Sequence, residues 1–223
     1  MAGSEAEERI RAKVEASLRR EFPDARIVHE VNTSWGGVRM DLAAVRPNAL
    51  TLVEIKSERD VLKRLPGQAA AALEITGDVR VYAAEQHRAG LKLMSRQHLG
   101  MVWNEDRTHG RHEPNPAYCA ALRQCRVMME ADEGFADIEP MHGSWWPRRV
   151  MEHAPDPRSM LEMLWAEELR DLMRRHSIGA PPRANRTITK LMAQENLTGR
   201  QIREGVCAAL RGRPFARADE VAA

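Results

Sequence analysis

Two neighbouring apolar runs in this chain carry charged residues in their interiors. The first, from Val38 to Val45, has Asp41 at its centre, and the second, from Leu50 to Lys56, contains Glu54 and ends on a lysine. Burying a charged side chain is costly unless it has a partner of opposite charge or a bound metal. Because three charges occupy positions that a core strand normally gives to apolar residues, we expect Asp41, Glu54 and Lys56 to form a site.

The periodicity of a strand predicts how these three side chains meet. Alternation puts Glu54 and Lys56 on one face of the sheet, and antiparallel pairing of the two runs would bring Asp41 close to Glu54. Two carboxylates alone repel each other, so one takes up a proton. A hard cation such as Mg²⁺ removes that repulsion and brings phosphate oxygens as further ligands. We therefore expect a divalent cation and a phosphate group here, with Lys56 beside the phosphate or an attacking water.

The segments up to the second charged run predict one helix and three strands. Ile10, Val14 and Leu18 recur at spacings of four, which is typical of an amphipathic helix, here over residues 5–21. Three short β-type runs with turn-like residues between them then predict an antiparallel meander. These runs cover residues 25–31, 38–45 and 50–56.

The next segments predict two helices and two more strands. An Ala-rich helix begins near Leu65 and Pro66, since proline suits a first helical turn, and Gly77 ends it. The strand over 79–84 should return parallel to the third strand through a right-handed crossover. A helix over 89–97 and a strand over 99–103 complete an α/β domain with a mixed sheet over residues 1–105.

The remaining residues divide into an irregular part and a helical part. Residues 106–157 are predicted to be a linker or insertion with one helix near Tyr118 to Glu130. His109, His112, Cys119 and Cys125 fit no common zinc spacing, and Trp145 and Trp146 could either stack on bases or pack a loop. Residues 158–223 are predicted to form a helical region, with helices over 158–176, 186–194 and 198–211.

Charge and composition limit the choice of partners. The net charge is only +2, but residues 183–217 hold eight Arg and Lys against two acids, which suggests contact with a phosphate backbone or a plain solvated face. No apolar run is long enough to span a membrane, and three cysteines without an export signal favour the cytoplasm. A homodimer is left open. The candidate nucleic-acid contacts are Lys190, Arg200, Arg203 and Arg211.

The charged runs and the order of elements together resemble the PD-(D/E)XK nuclease superfamily. Asp41 precedes Glu54-Ile55-Lys56 at the end of the next strand, behind an N-terminal helix, and members of that superfamily have an αβββαβ core. The resemblance covers residues 1 to about 105. The string from Glu54 to Gln68 is also similar to small bacterial and phage proteins of unassigned function that share an EIKS…RLPxQ stretch.

The resemblance implies a role for each matching residue. Asp41 and Glu54 would bind Mg²⁺ or Mn²⁺, with the carbonyl of Ile55 as a further ligand, and Lys56 would act on the water or the phosphate. Gln68 is similar to a glutamine near the site of exonuclease-type members. A glutamate of the first helix often joins the site, for which Glu7 is the first candidate and Glu15 the second. Met40 stands where the motif has proline.

The expected function is metal-dependent hydrolysis of phosphodiester bonds in nucleic acid, with DNA favoured; RNA stays open as the substrate, as does the choice between endo- and exo-cleavage. Two alternatives remain at this stage. One is a DNA-binding module that keeps the fold without cutting, and the other is a regulatory protein whose C-terminal helices bind a partner. For the Glu-x-Lys pattern of Glu54 and Lys56, the alternative is an exposed strand whose charges form surface ion pairs.

Overall fold

The computed structural model describes residues 5–34, 37–96, 121–122, 124–132, 134–138, 155–179, 181 and 183–220. Within these ranges the chain is a mixed α/β protein built on a six-stranded sheet. The predicted strand over 99–103 lies outside the described residues, as do His109, His112, Cys119, Trp145 and Trp146. No described helix is long and apolar enough to cross a membrane.

The first helix covers one face of the sheet. Helix α1 (Glu5–Glu21) buries Ile10, Val14 and Leu18 completely, which confirms the predicted apolar stripe. These three side chains pack on sheet residues such as Leu42, Val53 and Tyr82. Most charged residues of the helix lie on its solvent side, as in an amphipathic helix, but Arg11 and Glu15 are buried.

The sheet has the strand order β1-β2-β3-β4-β5-β6. Its first three strands form the predicted antiparallel meander, and β4 lies parallel to β3 after a helical crossover. Strand β5 continues parallel to β4, and β6 returns antiparallel. The elements are β1 (Arg26–Asn32), β2 (Arg39–Val45), β3 (Leu50–Lys56), α2 (Leu65–Ile75), β4 (Asp78–Ala83), α3 (Arg88–Arg96), β5 (Arg126–Ala131) and β6 (Gly134–Asp137).

The prediction of a helix from Tyr118 to Glu130 is wrong from Arg126 onwards, where the chain forms β5. Leu122, Cys125 and Met129 recur at helical spacing, but the same stretch also offers Val127 to Met129 as a short apolar strand. Pairing with β4 satisfies the backbone groups and buries Met129 completely, so tertiary contacts decide the local structure. The segment between 106 and 157 thus supplies two strands of the sheet.

The helical region packs on the face of the sheet opposite α1. Its elements are α4 (Pro157–Met160), a 3-10 turn (Leu161–Met163), α5 (Ala166–Arg175), α6 (Arg186–Asn196) and α7 (Gly199–Gly212). The single helix predicted over 158–176 is wrong, because the chain is extended at Leu164 and Trp165. The two later helices are confirmed, and the hydroxyl of Thr198 accepts from the N–H of Gln201 as an N-cap.

One apolar core joins α2, the sheet and the helical region. It includes Leu73 of α2, Leu52 of β3 and Val206 of α7, each almost completely buried. Arg26 at the start of β1 donates to the carbonyls of Leu210, Arg211 and Arg213 at 3.2, 2.7 and 2.7 Å. The guanidinium therefore caps the C-terminal end of α7, where carbonyls lack helical partners.

A segment after α7 covers the outer edge of β1. Residues Val28 and Ala218 form an antiparallel bridge, and the N–H of Asp219 donates to the carbonyl of Ile27 at 2.9 Å. The Asp219 carboxylate accepts from the N–H of Ile27 at 3.0 Å. An edge strand with unpaired backbone groups can pair with another chain. The segment after α7 covers part of this edge of β1 and satisfies backbone groups there.

Candidate functional site

The charged residues lie where β2 and β3 separate. The last paired residues of the two strands are Leu42 and Val53. Beyond them, the Asp41 carboxylate rather than the β2 backbone accepts a hydrogen bond from the N–H of Ile55, with an Oδ2–N distance of 2.6 Å. This contact fixes the Asp41 side chain beside the end of β3.

A distortion of the neighbouring strand accompanies this arrangement. The ladder between β1 and β2 skips the pair Glu30 and Asp41, and Glu30 has a φ of 56°, a left-handed conformation that is strained for a residue with a side chain. On β2, Met40 packs with the core on the α2 side, whereas Leu42 packs with the core on the α1 side. The normal alternation is therefore interrupted at Asp41, as at bulges that re-aim a side chain.

Glu54, Lys56 and Gln68 form a hydrogen-bonded cluster. The Lys56 ammonium donates to Oε1 of Glu54 at 2.7 Å and to Oε1 of Gln68 at 3.1 Å. The Gln68 amide donates to the same Glu54 oxygen at 2.5 Å. Glu54 and Lys56 are 3% and 4% exposed, so this is a buried ion pair and not a pair on a surface strand. Gln68 reaches it from the first turn of α2.

Within the described residues, one oxygen of this cluster has no hydrogen-bond partner. Oε2 of Glu54 is buried and accepts no hydrogen bond from any residue that the structure describes. A buried charged oxygen without a partner is costly. It therefore indicates a position that a ligand of positive charge would satisfy.

The two carboxylates affect each other's ionisation. Burial raises the pKa of both Asp41 and Glu54 above the usual values, and the charge of Asp41 raises the pKa of Glu54 further. The Ile55 N–H and the Arg11 guanidinium lower the pKa of Asp41, and Lys56 lowers that of Glu54, but burial is the larger effect in each case. A proton would therefore compete with any cation that binds the carboxylates of Asp41 and Glu54.

Arg11 is a site residue that the sequence did not reveal. Its side chain is 3% exposed; Nη1 donates to the carbonyl of Asp41 at 3.1 Å, and Nη2 donates to the Glu7 carboxylate at 2.5 Å. Nη2 also lies 3.7 Å from Oδ1 of Asp41. In the sequence, Arg11 is one of many charges on α1, and only its buried contact with β2 distinguishes it.

A cleft of about 790 Å³ connects these residues, and the sequence-predicted set lines it: Glu7, Asp41, Glu54, Ile55, Lys56 and Gln68. Glu7 reaches the cleft and is held by Arg11. Glu15, the second candidate of α1, lies elsewhere, because its carboxylate contacts Arg19 and Arg217.

The carbonyl of Ile55 faces the space between the separated ends of β2 and β3, where the Asp41 side chain lies. Along β3, Lys56 turns its carbonyl towards β4, where it accepts from the N–H of Ala84 at 2.8 Å. The N–H of Ile55 points the other way, to Asp41. Because the N–H and C=O of one strand residue share a side, the Ile55 carbonyl opens towards Asp41.

A divalent cation fits this set of donors. Mg²⁺ binds one or two carboxylates and completes its shell with waters and substrate phosphates, and here two carboxylates and a carbonyl face one gap, with the orphaned Glu54 oxygen among them. The described ranges contain no group of three or more His, Cys, Asp or Glu side chains arranged to hold a metal. Asp41, Glu54 and the carbonyl of Ile55 are therefore the groups in the described residues that could hold a cation in this cleft.

The basic residues predicted on the C-terminal helices lie away from the cleft lining. Lys190 pairs with Glu162, and Arg200 pairs with Glu204 at 2.7 Å. Arg211 donates to the carbonyls of Asp24 and Val45 at 2.8 and 2.9 Å, which ties α7 to the sheet. Arg203 is exposed on α7.

Fold and site together define a mixed α/β protein with a buried acid–lysine cluster at the bottom of a polar cleft. The family model described as bacteriophage P4 protein cII matches residues 2–111, just under half of the chain. The matched range contains every residue of the cluster. Neither the curated proteins nor the solved structures contain a match.

Proposed function

We propose that this chain is a metal-dependent nuclease of the PD-(D/E)XK type, with DNA as its substrate. The observation that carries the proposal is the convergence of Asp41, Glu54 and Lys56 in one cleft, with a buried Glu54 oxygen that accepts no hydrogen bond from any described residue. The order α1-β1-β2-β3-α2-β4 supports it, since the superfamily core has the same order. The match to a phage family is compatible with a phage origin.

Asp41, Glu54 and the Ile55 carbonyl would hold Mg²⁺ or Mn²⁺. The cation would polarise the phosphate and make a bound water more acidic. Asp41 is fixed for this role by the Ile55 N–H, and Glu54 is fixed by Lys56 and Gln68, which hold one oxygen and leave the other free to bind. Arg11 holds Glu7 at the cleft wall.

Lys56 serves the reacting phosphate. In the reaction, a water attacks phosphorus, the bond from phosphorus to the 3′-oxygen breaks, and that oxygen leaves with a proton. Negative charge grows on the phosphate oxygens, and an ammonium group placed beside them stabilises it. Gln68 orients Lys56 through the 3.1 Å contact, so its removal should lower the rate less than removal of Lys56.

The test is a cleavage assay on linear, circular and branched DNA and on RNA, with Mg²⁺ or Mn²⁺ and with EDTA. The variants are Asp41→Asn and Lys56→Ala, and the control is Asp132→Asn, at an exposed residue after β5. The proposal requires metal-dependent cleavage that both site variants lose and the control keeps.

Two outcomes would refute the proposal. If the site variants cut as fast as the parent, the activity does not arise in this cleft. If the parent binds DNA with a divalent metal but cuts no substrate of the panel, the chain is a binding module on the same fold.

A further inference from the structure

The entrance of the cleft carries three basic residues, which we name the rim cations: Arg39, Lys63 and Arg64. All three are exposed and line the cleft. Arg39 lies at the start of β2, two residues before Asp41, and it pairs with Glu30 at 2.7 Å. Lys63 and Arg64 lie in the 3-10 turn between β3 and α2. Among described residues, neither of these two forms an ion pair.

Most of the basic side chains in the helical region already form hydrogen bonds or ion pairs with the protein. Arg211 and Arg213 bind backbone carbonyls that hold the fold together, and Lys190 and Arg186 share Glu162. Of the four candidates that the sequence suggested, only Arg200 and Arg203 present largely exposed cations. A side chain already bound to protein carbonyls or carboxylates has less to offer a phosphate. By this criterion Lys63 and Arg64 are the stronger rim cations, since Arg39 is paired with Glu30 as Arg200 is with Glu204.

We infer that the rim cations, and not the C-terminal helices, bind the sugar–phosphate backbone of the substrate. This inference rests on the proposed function and adds the residues that hold the polymer on either side of the reacting phosphate. Arg39 approaches from the β2 wall of the cleft, and Lys63 and Arg64 approach from the α2 wall.

The geometry of α2 places Arg64 on the same side of the helix as Gln68. Arg64 and Leu65 have helical backbone angles, so Arg64 and Gln68 lie four residues apart on one helical face. Gln68 contacts Glu54 and Lys56 at the bottom of the cleft. Arg64 is therefore about one helical turn, ~5.4 Å, further out, where a phosphate adjoining the reacting one would pass.

The first two turns of α2 present small residues to the cleft. Gly67, Ala70 and Ala71 line it there, and Glu74 lines it one turn further along the helix; a Cβ added to Gly67 would meet no atom within 4 Å. Small residues let a polymer backbone approach closely, and no acidic residue stands in the first turn of α2 to repel it. The wall suits a chain of phosphates that runs from the rim to Lys56.

The experiment measures binding of fluorescently labelled single-stranded and duplex DNA over a range of salt concentrations, with Ca²⁺ in place of Mg²⁺. The rim pair, Lys63→Ala with Arg64→Ala, is compared with the helix pair, Arg200→Ala with Arg203→Ala. All four positions are exposed, and melting curves check that both double variants are folded.

In the plot of log affinity against log salt, the rim pair should reduce the magnitude of the slope by about 1.4 for single strands and by about 1.8 for duplex. These are the contributions expected from two phosphate contacts. At 0.1 M salt this corresponds to about 25- to 60-fold weaker binding. The helix pair should keep the slope of the parent.

A rim pair with the parent's slope, or a larger loss in the helix pair, would overturn the inference. If the parent still cleaves with metal in that case, the proposed function stands. A parent that neither binds nor cleaves nucleic acid overturns both.

Discussion

Lys56→Met should destabilise the metal-free protein strongly at pH 8. The substitution removes the ammonium that holds Glu54 at 2.7 Å while both residues are buried. Breaking a buried pair in this way costs about 3–5 kcal/mol, because the remaining charge stays without compensation. Lys13→Met is the matched control. Its ammonium holds Glu130 at 2.9 Å but is 36% exposed, and such pairs contribute about 0.2–1 kcal/mol.

The cost of Lys56→Met should shrink at low pH. The pKa of Glu54 in the folded protein is already raised by burial and by Asp41, and loss of Lys56 raises it further. Between the unfolded and folded pKa values, the folded state binds more protons, so its stability falls as the pH rises. At pH 5 the folded variant carries a protonated Glu54, which needs no counter-ion.

Urea unfolding in EDTA, followed by circular dichroism at pH 5 and pH 8, measures this difference. The double variant Glu54→Gln with Lys56→Met should be closer to the parent than Lys56→Met alone, since no charge is left unpaired. The reasoning is refuted if Lys56→Met costs no more than Lys13→Met at pH 8, or if its cost is the same at both pH values.

Three further outcomes follow from the contacts described. Mn²⁺ at a hundred times its dissociation constant should stabilise the parent by about 2.7 kcal/mol, or about 5–10 °C in melting temperature; the shift should be smaller at pH 5.5 than at pH 8 and absent in Asp41→Asn. Gly67→Ala should add up to about 1 kcal/mol of stability in urea unfolding, whereas Gly67→Trp should raise KM for DNA by filling the cleft; an unchanged KM would mean that substrate does not use the α2 wall. Arg26→Met should lower the free energy of unfolding by at least about 2 kcal/mol, because the guanidinium loses four hydrogen bonds to carbonyls, three of them at the end of α7; Arg20→Ala, an exposed position on α1, is its control, and equal losses would contradict the capping role.

The order of elements through β4 was predictable because each segment is locally consistent. The stripe of Ile10, Val14 and Leu18 predicts α1, and the turn residues between short apolar runs predict the meander. Strand β5 was not predictable, because Leu122, Cys125 and Met129 also match a helix. Pairing with the edge of β4 selects the strand over the helix. That edge exists only in the folded protein, so no local pattern reveals it.

The candidate site was predictable to a similar extent. Strand parity and the short connection between β2 and β3 are enough to bring Asp41 towards Glu54. The distortion at Glu30 and the burial of Arg11 are not encoded in a local pattern. Arg11 acquires its role from a main-chain carbonyl on another element, so it looked like any other charge on the helix.

The segment that covers β1 has a consequence for how the molecule is made. Val28 and Ala218 are separated by 190 residues in the sequence, so this pairing closes a very long loop and belongs among the slow steps of folding. During synthesis, the outer edge of β1 cannot pair with this segment until nearly two hundred further residues have been added, so its backbone groups stay unpaired by the segment until then. A chaperone or an early-folding neighbour that shields this edge would protect the chain from mispairing during that interval.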